Sequence, residues 1–248
     1  MLSGLKNWLG LGGRASADGE LRYAVGDIHG RRDLLAALLR TIQADRQGRS
    51  AEIVFLGDYV DRGDDSAGVV TDLVERRGLD GLDPVFLKGN HEAVLLQFLD
   101  DLSIGPRWAE FGGLETLISY GVRPPQDMRD LEAWSRAREA LLQAMPDSHR
   151  DFYDRLELVA ERGRHLFVHA GIDPARPVIE QGEAEFLWIR EPFLKGSKRL
   201  PWIVVHGHTP QEEPSADRRR IGIDTGAYLT GKLTAVRLMD DDIVFLST

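Results

Sequence analysis

The sequence predicts an α/β protein, and three observations lead there. Five segments, "LRYAVGDIHG", "AEIVFLGDYVDRG", "DPVFLKGNHE", "HLFVHAG" and "PWIVVHGHTP", each carry a short apolar run into a glycine-rich turn bearing Asp, Asn or His. Continuous apolar runs bounded by glycine read as strands buried on both faces. Helical stripes lie between the first of them, and strand alternating with helix is the pattern of an α/β domain. The chain then closes on three strand-like runs separated by turns, an antiparallel ending that predicts a mixed sheet or two sheets packed face to face.

The elements follow in order. Residues 1–13, "MLSGLKNWLGLGG", have one Lys and an apolar stretch broken by glycines. They lack the longer apolar region and small-residue cleavage site of a secretory signal, so residues 1–20 read as a weakly docked leader. From Leu21 the strand-and-turn units begin. Residues 32–46 set Leu34, Leu35, Leu38, Leu39 and Ile42 on one stripe, the period of an amphipathic helix. Residues 66–77 and 91–102 behave similarly. The alternation breaks at about 103–158, where "WAEFGGLETLISYG", "DLEAWSRAREALLQAM" and "SHRDFYDRLELV" read as helices jointed at Gly and Pro. After this helical insertion the sheet resumes, and "RRRIGIDTGA", "KLTAVRLM" and "DIVFLST" supply the last strands. Residues 21–248 are expected to form one domain.

Composition excludes several classes. With 248 residues, 42% of them hydrophobic, the chain can bury one substantial core. It has no cysteine, which removes disulfides, thiolate metal sites and cysteine nucleophiles and fits a reducing, cytoplasmic setting. No apolar run approaches the roughly 20 residues of a membrane span, so no stable membrane insertion is expected. The net charge is −9, from 40 acidic and 31 basic residues. The basic clusters Arg31-Arg32, Arg76-Arg77 and Arg218-Arg219-Arg220 are short and scattered, unlike the basic stripe of a nucleic-acid binder. No nucleic-acid partner is expected, and bound cations would offset part of the acidic excess.

In α/β sheets, functional groups gather at the carboxyl ends of strands. Five strand ends here supply Asp27, His29, Asp58, Asn90, His91, His169, His206 and His208, so five of the seven histidines sit at such turns. One histidine after a strand is an ordinary structural residue; five in one kind of position are a pattern. Imidazole nitrogen mixed with carboxylate and amide oxygen suits Mn, Fe, Co or Zn, whereas calcium or magnesium favours all-oxygen sites. The number of ligands points to two metals. A carboxylate shared between them would hold them about 3.5–4 Å apart, and a bridging water would become hydroxide-like at neutral pH. No protein nucleophile is then required.

The motifs "GDIHG", "GDYVDRG", "GNHE", "HAG" and "GHTP", in that order, resemble the PPP phosphoprotein phosphatases of the calcineurin-like metallophosphoesterases. The likeness is greatest to the bacteriophage-lambda-type and bacterial serine/threonine phosphatases, and "FLWIREPF" and "IDTGAYLTGKLTAV" extend it, so that it spans residues 21–239. The resemblance implies a metallophosphoesterase fold of mixed β-sheets packed face to face and flanked by helices. It implies that Asp27 and His29 hold a first metal, that Asp58 bridges both, and that Asn90, His169 and His208 complete the second site. Manganese is the metal it favours. His91 would be the general acid, kept protonated by Asp61, while Arg62 and Arg190 grip phosphate oxygens with the planar fork suited to them. In "IVFLGDYVDRG" the strand then fixes the backbone, Gly57 allows the turn, Asp58 points at the metals, and Asp61 and Arg62 face acid and substrate.

Lys88 stands where the phosphatase pattern commonly has Arg before GNHE, which implies a looser phosphate clamp. Of the pair in "HGH", His208 is taken as the ligand and His206 as a supporting or structural residue. Plainer readings stand beside these: Asp61 as the cap of the following helix, Arg190 as a surface residue beside Trp188, and Asp224 in "IGIDTG" as a turn residue, not assigned to metal. The implied activity is hydrolysis of phosphoserine and phosphothreonine in a phosphorylated protein or peptide. Hydrolysis of dinucleoside polyphosphates is the alternative, since residues 106–158 shape the cleft and their specificity is not legible. A phosphoprotein-binding module without activity would need a lost ligand or acid, and none is lost. A nucleic-acid phosphodiesterase is disfavoured by the charge.

Overall fold

The computed structural model describes residues 19–248, so all but the last two residues of the expected leader lie outside the described residues. β1 (Arg22–Val25), α1 (Arg32–Arg46), β2 (Ala51–Phe55), α2 (Ser66–Val74), β3 (Leu82–Phe86) and α3 (Asn90–Asp100) follow the expected alternation. Burying Leu35, Leu38, Leu39 and Ile42 docks α1, each side chain contributing roughly 1.5–3 kcal/mol relative to exposure. The insertion comprises α4 (Gly105–Glu110), α5 (Gly113–Ser119), α6 (Leu131–Ala144) and α7 (Asp147–Asp154). The joint between α4 and α5 falls at the glycine pair. β4 (Val159–Arg162), which the sequence reading did not anticipate, pairs antiparallel with β5 (His165–Val168). α8 (Glu183–Trp188), α9 (Glu191–Leu194), β6 (Ile203–His206), β7 (Ser215–Ala216), β8 (Arg220–Gly222), α10 (Ala227–Thr230), β9 (Thr234–Met239) and β10 (Asp242–Ser247) complete the chain.

The strands form two mixed five-stranded sheets, in the orders β10-β9-β1-β2-β3 and β4-β5-β6-β8-β7. In the first, β1, β2 and β3 are parallel, with Val25 opposite Phe55 and Phe55 opposite Phe86. Pro84 is tolerated because β3 lies at the edge. In the second, β5, β6 and β8 are parallel, with Phe167 opposite Val205 and His206 opposite Gly222. Here the expected antiparallel ending is corrected in part. β9 and β10 do form an antiparallel pair on β1, but β8 joins the other sheet in parallel.

Side chains alternate across a strand, and that alternation sorts the core. Ala24 and Val54 from the first sheet meet Phe167, Val205 and Ile221 from the second, so the two sheets pack face to face. Tyr23, Val25, Ile53 and Phe55 point the other way, onto α1 and α2. Leu166, Val168 and Val204 point outward from the second sheet onto Phe186 and Phe193. The parallel strands of both sheets direct their carboxyl ends to one edge, where the chemistry-bearing turns meet.

Candidate active site

The turn after β2 is fixed from below by a residue of α3. The Glu92 carboxylate accepts the N–H groups of Asp58 at 2.9 Å, Tyr59 at 2.8 Å, Val60 at 3.2 Å and Gly89 at 2.9 Å. Burial and Asp58 push the Glu92 pKa up to about 7, against the pull of those N–H groups. Gly57 takes φ 99°, and a Cβ there would lie 2.5 Å from the Gly89 nitrogen, so only glycine lets the ends of β2 and β3 touch. Asp58, Asp61, Arg62, His29 and His208 all adopt left-handed backbone, with φ between 48° and 71°. Such conformations cost roughly 1–3 kcal/mol each and cluster where a site demands them.

The structure brings metal-type residues together in two groups that share Asp58, the first of which takes in His91, expected as the acid, and not Asp27. Atoms of His29, Asp58 and His91 lie within 4.8 Å of one another, as do atoms of Asp58, His169 and His208. His29 Nε2 is 3.5 Å from Asp58 Oδ2, and His169 Nε2 is 3.4 Å from Asp58 Oδ1. Asn90 Oδ1 is 2.8 Å from His169 Nε2 and 2.9 Å from His208 Nδ1. Asp27 joins from β1, accepting the His208 N–H at 3.0 Å.

The donor set fits divalent cations on tautomer grounds. His29 and His169 each direct Nδ1 at a backbone carbonyl, of Val60 and Leu56, at 2.9 Å. Each Nδ1 therefore carries the proton, leaving the Nε2 lone pair aimed at acceptor oxygens, an arrangement a cation between them would satisfy. Burial lowers the His29 and His208 pKa to about 3 and lowers that of His169, which keeps all three neutral and competent as ligands. His208 Nε2 is buried without a hydrogen-bond partner.

His91 stands apart although it lies close to Asp58. Its Nδ1 is 2.7 Å from Asp61 Oδ2 and its Nε2 is 3.2 Å from the Arg62 guanidinium, so both ring nitrogens are engaged by protein groups. Burial works against charge on this ring, but the Asp58 and Asp61 carboxylates outweigh it and the pKa is raised. Nε2 here accepts from Arg62, so in this arrangement the ring is the neutral Nδ1–H tautomer. Asp61 is fully buried and accepts from Thr116 Oγ1 at 2.7 Å and from Trp108 Nε1 at 3.1 Å. It does not cap α2; Asp65 does, accepting from the Gly68 N–H at 2.8 Å.

Arg62 also stacks over Tyr228, 4.5 Å from the ring centroid. Arg190 is exposed at the start of α9. Lys88 is not an unpaired ammonium, because its Nζ meets Glu183 Oε1 at 3.0 Å. His206 is buried, with Nδ1 on the Gly207 carbonyl at 3.0 Å and Nε2 accepting from Arg220 at 3.2 Å, outside both ligand groups. Half-buried aromatic rings surround the histidines: Tyr228 lies 5.3 Å from His29, Phe111 5.7 Å from His91, and Trp188 6.3 Å from His208. Asp224, read from the sequence as a turn residue, does accept the Gly226 N–H of its own turn, and it is also buried beside Asp27. "IGIDTG" shows the same strand, glycine and carboxylate signal as the five segments that were recognised.

A family model described as calcineurin-like phosphoesterase matches residues 23–242. The chain is 29% identical over 240 residues to bis(5'-nucleosyl)-tetraphosphatase PrpE [asymmetrical] of Geobacillus thermodenitrificans (strain NG80-2), covering 86% of this chain and 88% of that protein. It is 26% identical to the protein of the same name from Bacillus cereus (strain Q1), covering 89% and 91%. A solved crystal structure named for a diadenosine tetraphosphatase superposes with a TM-score of 0.64 at 25% identity, covering 94% of this chain and 95% of that one. A cold-active protein tyrosine phosphatase, 16% identical with a TM-score of 0.55 over 95% and 81% of the two chains, shares the fold.

Proposed function

The chain belongs to the calcineurin-like phosphoesterase family, and on that premise we propose that it hydrolyses dinucleoside tetraphosphates off-centre, giving a nucleoside monophosphate and a nucleoside triphosphate. Phosphoester hydrolysis is the family's chemistry; the substrate is our reading. The observation that carries it is the end-to-end likeness to proteins named as asymmetrical tetraphosphatases. The alternative raised by the sequence is thus better supported than phosphoserine and phosphothreonine. The half-buried rings of Phe111 and Trp188 beside the site suit nucleobases, which stack on such rings at roughly 1–3 kcal/mol each.

Asp27, His29 and Asp58 would hold one divalent metal, and Asp58, Asn90, His169 and His208 a second, with manganese the metal we favour. When bound, the pair would supply Lewis-acid activation at the phosphorus and its attacking water. The remaining work falls to side chains. Arg62 and Arg190 orient phosphate oxygens, and Lys88 adds a point charge held by Glu183. When a phosphate draws Arg62 away from His91 Nε2, that nitrogen is free to carry the proton for the departing oxygen, with Asp61 holding the ring through Nδ1.

The test is to incubate the manganese-loaded full chain with a dinucleoside tetraphosphate, a phosphoserine peptide and an aryl phosphate, resolving products by chromatography. The expected result is mono- and triphosphate products, with kcat/KM above that for the peptide by about 10²-fold or more. Two diphosphates would overturn the asymmetry, and a peptide turned over as well as the tetraphosphate would overturn the substrate.

A further inference from the structure

Asp224 is a buried carboxyl to which no step above gives work. It follows β8, only 3% exposed, and its carboxyl stands within hydrogen-bond reach of that of Asp27. Its Oδ1 accepts the Gly226 N–H at 2.9 Å, and its carbonyl accepts the Gln211 N–H at 3.0 Å. That second bond ties the turn carrying His208 to the end of β8. The approach to Asp27 is built into the backbone. A Cβ on Gly26 would lie 2.5 Å from the Ile223 carbonyl oxygen, so glycine is what lets β1 close on β8. The next residue locks the loop: Thr225 Oγ1 donates to the Lys232 carbonyl at 2.7 Å and pairs with Thr234 Oγ1 at 2.9 Å.

Three carboxyl groups, of Asp27, Asp58 and Asp224, are therefore buried around one edge. Asp27 and Asp224 face each other with no Lys or Arg hydrogen-bonded to either among the described residues. Burying like charges side by side is unfavourable for folding, and a bound cation relieves the repulsion while keeping both charges, which a shared proton does not. A residue serving the turn alone would need the Gly226 contact and nothing facing Asp27.

We propose that Asp224 is a positioning residue of the first metal site, orienting the Asp27 carboxylate and adding a buried negative charge that strengthens cation binding by Asp27, His29 and Asp58. This rests on the two-metal reading above, but its test needs no substrate. Asp224→Asn keeps the side-chain shape and an oxygen for Gly226 while removing the charge; Asp224→Ser is the second variant. Thr225→Val loosens the same loop and leaves the charge.

Metal-free full-length proteins are titrated with MnCl2 in a calorimeter, and thermal midpoints are recorded with and without the metal. Wild type is expected to bind about two ions. Asp224→Asn should weaken one of the two by about 10–100-fold, the usual effect of losing a partner of a ligand, and leave the other unchanged. Its metal-free midpoint should equal or exceed that of wild type, since a buried charge is gone. Thr225→Val should lower the metal-free midpoint and bind manganese as wild type does. Unaltered titrations for both Asp224 variants overturn the proposal and leave the two-metal reading standing. Metal-free midpoints that fall, or folding that fails, in both make Asp224 a turn residue. Equal weakening by Thr225→Val assigns the effect to loop order. A wild type that binds no metal overturns the inference together with its premise.

Discussion

At the scale of single residues the site separates groups that face acceptors from groups that hold a proton. His29 and His169 spend Nδ1 on carbonyls and present Nε2 to oxygens. His91 has the Asp61 carboxylate at Nδ1 and the Arg62 guanidinium at Nε2, and we read it as the acid because Arg62 stands where a metal would bind that nitrogen. A general acid contributes about 10²–10⁴-fold, and the contribution depends on the leaving group. An alkoxide departs poorly without a proton; a phosphate or an aryl oxide departs far more readily. His91→Asn is therefore expected to slow hydrolysis of an alkyl phosphate by about 10²-fold or more, and to slow an aryl phosphate and a dinucleoside tetraphosphate much less. Manganese content should be unchanged. Turnover of all three substrates, with elemental analysis of the same samples, checks this: uniform slowing removes the acid role, and lost metal makes His91 a ligand. The chemistry-bearing turns and their order were legible in the sequence because each motif is a local strand-to-turn unit. The placement of Asp224 beside Asp27 was not legible, because the two lie about two hundred positions apart in the chain.

At the scale of elements, the helical insertion does more than border a cleft. Trp108 from α4 and Thr116 from α5 both donate to the buried Asp61 carboxylate, and the Gly112 carbonyl between them accepts the Arg62 N–H at 3.0 Å. The sequence showed helices here but not their reach, since nothing local marks an indole N–H aimed at a carboxylate. Trp108→Phe keeps the stacking on Phe98, whose ring is 4.8 Å away, and removes that donor. We expect a loss of about 1–3 kcal/mol in stability and a fall in kcat for alkyl phosphates with KM little changed; equal kcat in the variant would detach the insertion from the acid. A second contact lies on the far side of the insertion. His149 of α7 places Nε2 3.2 Å from Thr71 Oγ1 of α2 and Nδ1 2.8 Å from the Tyr120 hydroxyl, which also meets Tyr153. Burial lowers the His149 pKa, opposed by the Glu75 charge. The unfolded chain thus takes up this proton near pH 6.5 while the folded chain resists it. This group's stabilisation is complete above that pH and declines as pH falls toward the folded value. Chemical denaturation of metal-free protein at pH 7.5 and 5.5 should show His149→Gln losing less stability than wild type over that interval, by up to about 1.4 kcal/mol per pH unit. Parallel losses in both proteins would assign the slope to other groups.

At the scale of the whole molecule, the site is a seam between two sheets. Asp27, Asp58 and Asn90 come from the first, and His169 and His208 from the second, meeting where the parallel strands of both end. The α/β class and most elements were legible because strands buried on both faces leave continuous apolar runs. The partition into sheets was not, because β8 has three residues and its parallel partner is chosen by the inter-sheet core of Phe167, Val205 and Ile221. Cations held across such a seam would cross-link the sheets as well as serve chemistry. A ligand that binds only the folded state stabilises it by RT ln(1 + [L]/Kd), about 2.7 kcal/mol at a hundredfold excess over Kd. For a chain of this length each kcal/mol moves the thermal midpoint by about 2–4 °C, so each saturated site is expected to add about 5–11 °C. Thermal melts across a manganese series, beginning from chelated protein, should climb with the logarithm of concentration in wild type. Asn90→Ala, which removes an oxygen from one group only, should keep part of the rise. Asp58→Asn, which touches both groups, should lose nearly all of it. A midpoint indifferent to manganese in wild type would mean that the seam is closed by protein contacts alone, and an Asp58→Asn protein that still climbs as wild type does would remove Asp58 as the shared ligand.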